Sequence, residues 1–208
     1  MIRLKPDFVT IMIGTNDARG HIHEPWANEL VYFWKLKVEN PFSLENYEKN
    51  LEQIVNVLLE STDAVIAVCS LPPIGEDFDS KANQTVIDFN NIIHQVVERK
   101  RVNKFCDRLY FLDVFQVLRE KCDSSNESEP SKLKMMLYFF VVEFLYHLLK
   151  VPRKYGSKLF GMSFLSDTVH LNENGADEVT EVISQWILKI TKKKVMRIVP
   201  LCYILVVW

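Results

Sequence analysis

The sequence predicts an α/β fold built on a mainly parallel sheet, and three observations carry that prediction. Three short runs, Asp7 to Ile13, Ala64 to Cys69 and Leu109 to Phe115, are apolar at adjacent positions and not only at alternate ones. A strand of that kind is covered on both faces, which is the setting of a parallel sheet flanked by helices. The stretches between and after these runs repeat their apolar residues at helical spacing. Strand alternating with helix gives parallel strands joined by right-handed crossovers. At 208 residues, 48% hydrophobic and 25% charged, the chain has the size and composition of one globular domain with its own core.

In order, Asp7 to Ile13 (DFVTIMI) is the first strand, and Gly14 ends it. Leu44, Tyr47, Leu51, Ile54, Val55 and Leu58 form the apolar stripe of a helix, with Ser43 placed to cap it. Ala64 to Cys69 (AVIAVC) is the second strand, stopped by Pro72-Pro73. Val86, Phe89, Ile93, Val96 and Val97 stripe a second helix, and Leu109 to Phe115 (LYFLDVF) is a third strand with Asp113 inside it. A polar loop, Asp123 to Ser131, precedes an almost wholly apolar helix, Leu133 to Leu149, read as a lid or an interface helix. Its length of about 17 residues and its ionisable Glu143 and His147 argue against a membrane span. Those two stand four apart and are expected to pair with each other. Ala176, Val179, Val182, Ile183, Trp186, Ile187 and Ile190 stripe the last helix, which opens around Asn172. Lys192-Lys193-Lys194 and Arg197 then lead into an apolar tail, Ile198 to Trp208, too short to cross a bilayer. A basic cluster beside an apolar stub has the chemistry to rest on a membrane surface. Packing on the domain, or a non-native read-through end, is preferred. The expected organisation is a domain over 1–194 with an insertion near 120–155, followed by a tail over 195–208.

A formal net charge of -2 gives no basic field for nucleic acid. The four cysteines form no C-x-x-C pair, so they read as reduced thiols, with Cys69 a small buried hydrophobe. The opening residues Met1 to Pro6 have no apolar core of a secretory signal, and a cytoplasmic location is expected. His21-Ile22-His23-Glu24 would place two imidazoles on one face of an extended strand. It lacks a third ligand at a known spacing, and Pro25 follows, so no metal site is expected. Arg19 to Trp34 is read instead as part of a pocket wall, with Trp26, Tyr32, Phe33 and Trp34 lining it or belonging to the core.

Two motifs carry chemistry. Ligand sites in open α/β sheets lie at the carboxyl ends of the strands, where Gly14-Thr15-Asn16-Asp17 follows the first strand. There the Asn16 side-chain amide can face a developing oxyanion, Gly14 permits close backbone approach, and Asp17 can cap or brace the turn. The same residues also suit ordinary turn chemistry. Near the other end stands Asp167-Thr168-Val169-His170, just ahead of the last helix. A carboxylate three positions before a histidine can accept its Nδ1–H and leave Nε2 as a general base. Read singly, the pair is also compatible with a solvated Asp and a His near a helix start.

Taken together and in this order, the motifs resemble those of the SGNH hydrolases, the GDSL-type esterases and lipases. Gly14-Thr15-Asn16-Asp17 is similar to that family's third block, G-x-N-D, and Asp167 to His170 to its fifth, D-x-x-H. His170-Leu171-Asn172-Glu173-Asn174-Gly175, Leu71-Pro72-Pro73 and the region of Asn90 also have the family's look. The resemblance spans about residues 6–190. It implies a three-layer α/β/α flavodoxin-like fold with strand order 2-1-3-4-5 and a small-molecule ester substrate, with neither cofactor nor metal. It assigns Asp167 and His170 to catalysis and Asn16 to the oxyanion hole, with Gly14 and Asp17 in support. The family's nucleophile sits in a G-D-S turn, and a glycine amide joins the oxyanion hole, both ahead of G-x-N-D. The 208 residues contain neither block, and Ser70 and Ser166 do not replace them. The expectation is therefore an N-terminally incomplete sheet with three visible strands and a truncated esterase or lipase domain, inactive or nearly so as written. The first strand would then be a bare edge. The alternative is a non-catalytic binding module that keeps the pocket.

Overall fold

The computed structural model describes residues 5–22, 42–102, 107–122, 162–167, 169–193 and 202–206. The predicted apolar helix at 133–149 with its Glu143–His147 pair, His23, Glu24, the aromatic segment 26–34, Cys106 and Thr168 lie outside them, as does most of the 120–155 insertion. The elements run β1 (Phe8–Met12), α1 (Thr15–Ile22), α2 (Leu44–Ser61), β2 (Val65–Cys69), α3 (Lys81–Lys100), β3 (Leu109–Leu112), α4 (Val114–Lys121), α5 (Glu173–Lys193) and β4 (Cys202–Val206). The sheet order is β3-β2-β1-β4, and every pairing is parallel. Phe8 pairs with Val65 and Ile66 with Leu109.

Side chains alternate across this sheet, as a period of two requires. Val9, Ile11, Ile66 and Val68 enter a core shared with Tyr47, Leu51 and Val55 of α2 and with Val86, Phe89 and Ile93 of α3. Phe8, Met12, Val65, Ala67 and Cys69 enter a second core with Val114 and Leu118 of α4 and Val179, Ile183 and Trp186 of α5. The result is the expected three-layer α/β/α arrangement. All five residues of β1 and of β2 are buried, which explains why their sequences lack a polar face. Burial pushes the Cys69 thiol up to about 12, so it behaves as a packing group and not as a nucleophile.

The α2 and α3 stripes lie where their periodicity puts them, and Ser43 and Ser80 cap the two helices through the amides of Asn46 and Asn83. Three local differences from the sequence reading have simple causes. The third apolar run is a strand only as far as Leu112; Asp113 Oδ1 accepts from the Gln116 amide, caps α4 and turns Val114 and Phe115 into a helix. Residues 15–22 form a helix despite modest propensity, because Ala18 and Gly20 are buried. His21 therefore stands on a helix and not on a strand. Its Nδ1 lies 2.9 Å from the Phe42 carbonyl oxygen and its ring meets Phe89 edge-on. Residues 202–206 of the apolar tail form a fourth strand, pairing Phe8 with Cys202 through Met12 with Val206. An unpaired β1 edge would expose a row of N–H and C=O groups, and an apolar segment satisfies them. Among the described residues, no helix is long and apolar enough to cross a membrane.

Candidate active site

The candidate residues are carried by the turn after β1 and by a loop bonded to the segment that follows β2. After β1 the backbone turns at Gly14, whose φ of +122° is a conformation open to glycine. Tyr47 holds this turn from α2: its hydroxyl donates to the Ile13 carbonyl at 2.9 Å, and its ring packs against Phe89. That ring also fills the space a side chain at 14 would need. Gly14 then caps α1, its carbonyl accepting from the Ala18 amide at 2.9 Å. Asn16 follows in the first turn of α1, exposed, and Ala18 is fully buried. Asp17 lies in the same turn. Burial raises its carboxyl above the ordinary value, partly opposed by its own backbone amide. Burial, and then the nearby Asp17 carboxylate, push the Tyr47 phenol well above its usual range.

The second motif is carried by a loop pinned from two sides. Glu76, in the segment after β2, accepts three consecutive amides with one carboxylate: Ser163 to Oε2 at 2.6 Å, and Phe164 and Leu165 to Oε1 at 2.6 and 2.7 Å. From the other side, Asn172 Nδ2 donates to the carbonyls of Ser163 and Leu165, both at 3.1 Å. Asn172 Oδ1 meanwhile caps α5 by accepting from the Gly175 amide at 3.0 Å. A Cβ on Gly175 would stand 2.3 Å from the Phe164 carbonyl oxygen, so this close approach of helix to loop requires glycine. Leu165 and Leu171 bridge in antiparallel fashion, with the Asn172 amide donating to Phe164 O and the Ser166 amide to His170 O.

Asp167, Val169 and His170 lie at the tip of that bridge. Asp167 Oδ1 accepts from the amides of Val169 and His170 at 2.7 and 2.8 Å, which fixes the turn. Asp167 Oδ2 lies 2.6 Å from His170 Nδ1. The carboxylate can only accept, so Nδ1 carries the hydrogen and Nε2 is the nitrogen able to take and return a proton. The imidazole is 55% exposed and the Asp167 side chain 28%. Phe164 is buried in the core on the α4–α5 side and Val169 in the core on the α2–α3 side. The loop therefore crosses the end of the sheet. Val169 shares its core with Ala18, two residues beyond Asn16.

Of the residues singled out in the sequence, Asp167 and His170 are joined directly, while Gly14, Asn16 and Asp17 lie together on the β1–α1 turn. Ser70 and Ser166 behave structurally. Ser70, at the end of β2, is fully buried, donating to Asp113 Oδ1 at 3.1 Å and accepting from the Phe115 amide at 2.9 Å. Ser166 donates to the His170 carbonyl. Sequence reading missed Glu76, Asn83 and the loop-holding role of Asn172. Leu71 and Asn90, noted separately in the sequence, are bonded to each other: Asn90 Oδ1 accepts from the Leu71 amide at 2.7 Å. Asn83 holds the same segment by accepting from the Ile74 amide at 2.9 Å and donating to the Asp77 carbonyl at 2.7 Å.

The family model described as GDSL-like Lipase/Acylhydrolase matches residues 3–183. The chain belongs to this family. Solved structures of like fold include an alpha/beta hydrolase enzyme from the metagenome of Lake Arreo, Spain, at 15% identity and a TM-score of 0.54. That match covers 92% of this chain and 64% of the hydrolase. An acetylxylan esterase from Geobacillus stearothermophilus matches at 19% identity and a TM-score of 0.51, covering 90% of this chain and 62% of the esterase. This GDSL-like chain thus spans less than two thirds of the length of either. Forms of that esterase described as catalytic mutants replace a serine, an aspartate and a histidine, the last two three positions apart. No curated protein matches the chain.

Proposed function

We propose that this GDSL-like domain carries the general base, its orienting carboxylate and an oxyanion donor of an acyl-ester hydrolase, and that the attacking serine lies outside the 208 residues. The reading rests above all on the 2.6 Å contact between Asp167 Oδ2 and His170 Nδ1, on a loop at the carboxyl ends of parallel strands. The same Asp-to-His spacing in the acetylxylan esterase supports it. The burial of Val169 and Ala18 in one core, on the α2–α3 side of the sheet, is compatible with it.

In this mechanism a serine Oγ attacks the ester carbonyl while His170 Nε2 removes its proton. Asp167 orients the ring and stabilises the imidazolium. Asn16 Nδ2 and backbone amides hold the oxyanion, a role worth about 3 kcal/mol for one donor. The tetrahedral intermediate collapses, and His170 returns the proton to the departing alkoxide. Water, deprotonated by the same imidazole, then releases the acid and restores the serine. The substrate is a small-molecule ester, and the steps need neither metal nor cofactor.

A fluorophosphonate probe applied to an extract of the native source tests this reading. The expected result is a labelled species that yields peptides of this chain and exceeds its 24.4 kDa mass. Absence of label on any species carrying these peptides would leave a pocket that binds without turnover, and the hydrolase reading would fall.

A further inference from the structure

We propose that Glu76 is the positioning residue of the Asp167–His170 pair, an inference that rests on the catalytic reading of that pair. Three consecutive amides pointing at one carboxylate require the backbone at 163–165 to curl around it. Both oxygens of the side chain are used to accept all three, at 2.6–2.7 Å. Glu76 is itself held from α3, because Asn90 fixes Leu71 and Asn83 fixes Ile74 and Asp77 on the same segment. The restraint continues through the Leu165–Leu171 bridge to the turn in which Asp167 holds the amides of Val169 and His170. Hydrogen bonds therefore link α3, through the segment that carries Glu76, to the loop that holds the imidazole. The 163–165 amides would be as well satisfied by water at a surface loop. Their capture by an acidic side chain 87–89 residues away in sequence fixes where the loop sits.

Glutamine at 76 can keep the two bonds to Oε1, but its NH2 would face the Ser163 amide, donor against donor. Alanine removes all three acceptors. The test uses the full 208-residue protein, with amide hydrogen exchange and the NMR signal of the His170 Nδ1–H as readouts. Glu76→Ala is expected to speed exchange of the Val169 and His170 amides by roughly tenfold or more and to broaden the Nδ1–H signal. Glu76→Gln is expected to do the same to a smaller extent. The Leu71 and Ile74 amides, held by Asn90 and Asn83, should stay protected and report that the core is intact. Faster exchange confined to 163–165, with Val169, His170 and the Nδ1–H signal unchanged, would overturn the proposal. If Glu76→Ala also releases Leu71 and Ile74, the Gln variant decides by the same criterion. No turnover enters these readouts, so a failure of the hydrolase reading would leave this result standing, and the reverse also holds.

Discussion

Purified alone, the 208-residue polypeptide is expected to hydrolyse p-nitrophenyl acetate no faster than its own His170→Ala variant. A hydrolase triad stripped of its nucleophile loses on the order of 10⁶ in kcat, and the residual rate comes from the oxyanion hole and substrate binding, so it does not depend on the imidazole. Among the described residues, Ser70 and Ser166 are both engaged elsewhere. The Ser70 hydroxyl is buried and engaged at both ends, and the Ser166 hydroxyl is turned to the His170 carbonyl and not to its ring. In a form of the protein that does react with a fluorophosphonate, the same substitution should be severe. His170→Ala should lower kcat by about 10⁴–10⁶-fold, and Asn16→Ala by about 10²–10³-fold. Robust turnover by the 208-residue polypeptide that vanishes in His170→Ala would show that a nucleophile is present after all.

Gly14→Ala is expected to cause the largest loss of stability at the site, about 3–5 kcal/mol in urea unfolding. Two costs combine. The φ of +122° is strained for any residue with a Cβ, and that Cβ would stand 2.5 Å from Tyr47 Cε2. The ring cannot swing away cheaply, because it is buried against Phe89 and its hydroxyl is bonded to Ile13 O. A loss of this size is a large share of a typical domain's stability, so the urea midpoint should fall steeply. Tyr47→Leu is itself destabilising, through loss of the Phe89 contact and of the bond to Ile13 O, but Gly14→Ala should cost less in that background than in the parent, by the steric part alone. An unchanged midpoint in Gly14→Ala would mean that neither cost operates.

Much of this fold is legible in the sequence because the relevant forces are local or periodic. Adjacent apolar positions in Phe8–Met12 and Val65–Cys69 follow from burial of both sheet faces. The Ser43 cap and the Asp167–His170 contact span only three residues each, within reach of pattern reading. What escaped depends on distant partners. Glu76 sits in a polar segment, Gly75 to Asp79, that reads as solvated, and nothing nearby announces three amides from 163–165. The β4 segment follows Pro200 and pairs with residues near the other end of the chain, so its strand character needs the β1 edge. Residues 15–22 are helical through tertiary burial of Ala18 and Gly20, against the weak propensity of a segment containing Thr, Asn, Asp and Gly. Asp113 looked like an interruption within a strand and is a helix cap, because one carboxylate suits either role in isolation.

A short bifunctional thiol reagent applied to the Asn16→Cys/His170→Cys double variant is the most direct check on the site as a whole. If the two turns border one cleft, mass spectrometry of the folded protein will find the peptides holding positions 16 and 170 joined, and the link will be lost in urea. Single modification of both thiols with no link between them would place the amide and the imidazole on separate surfaces and end the hydrolase account.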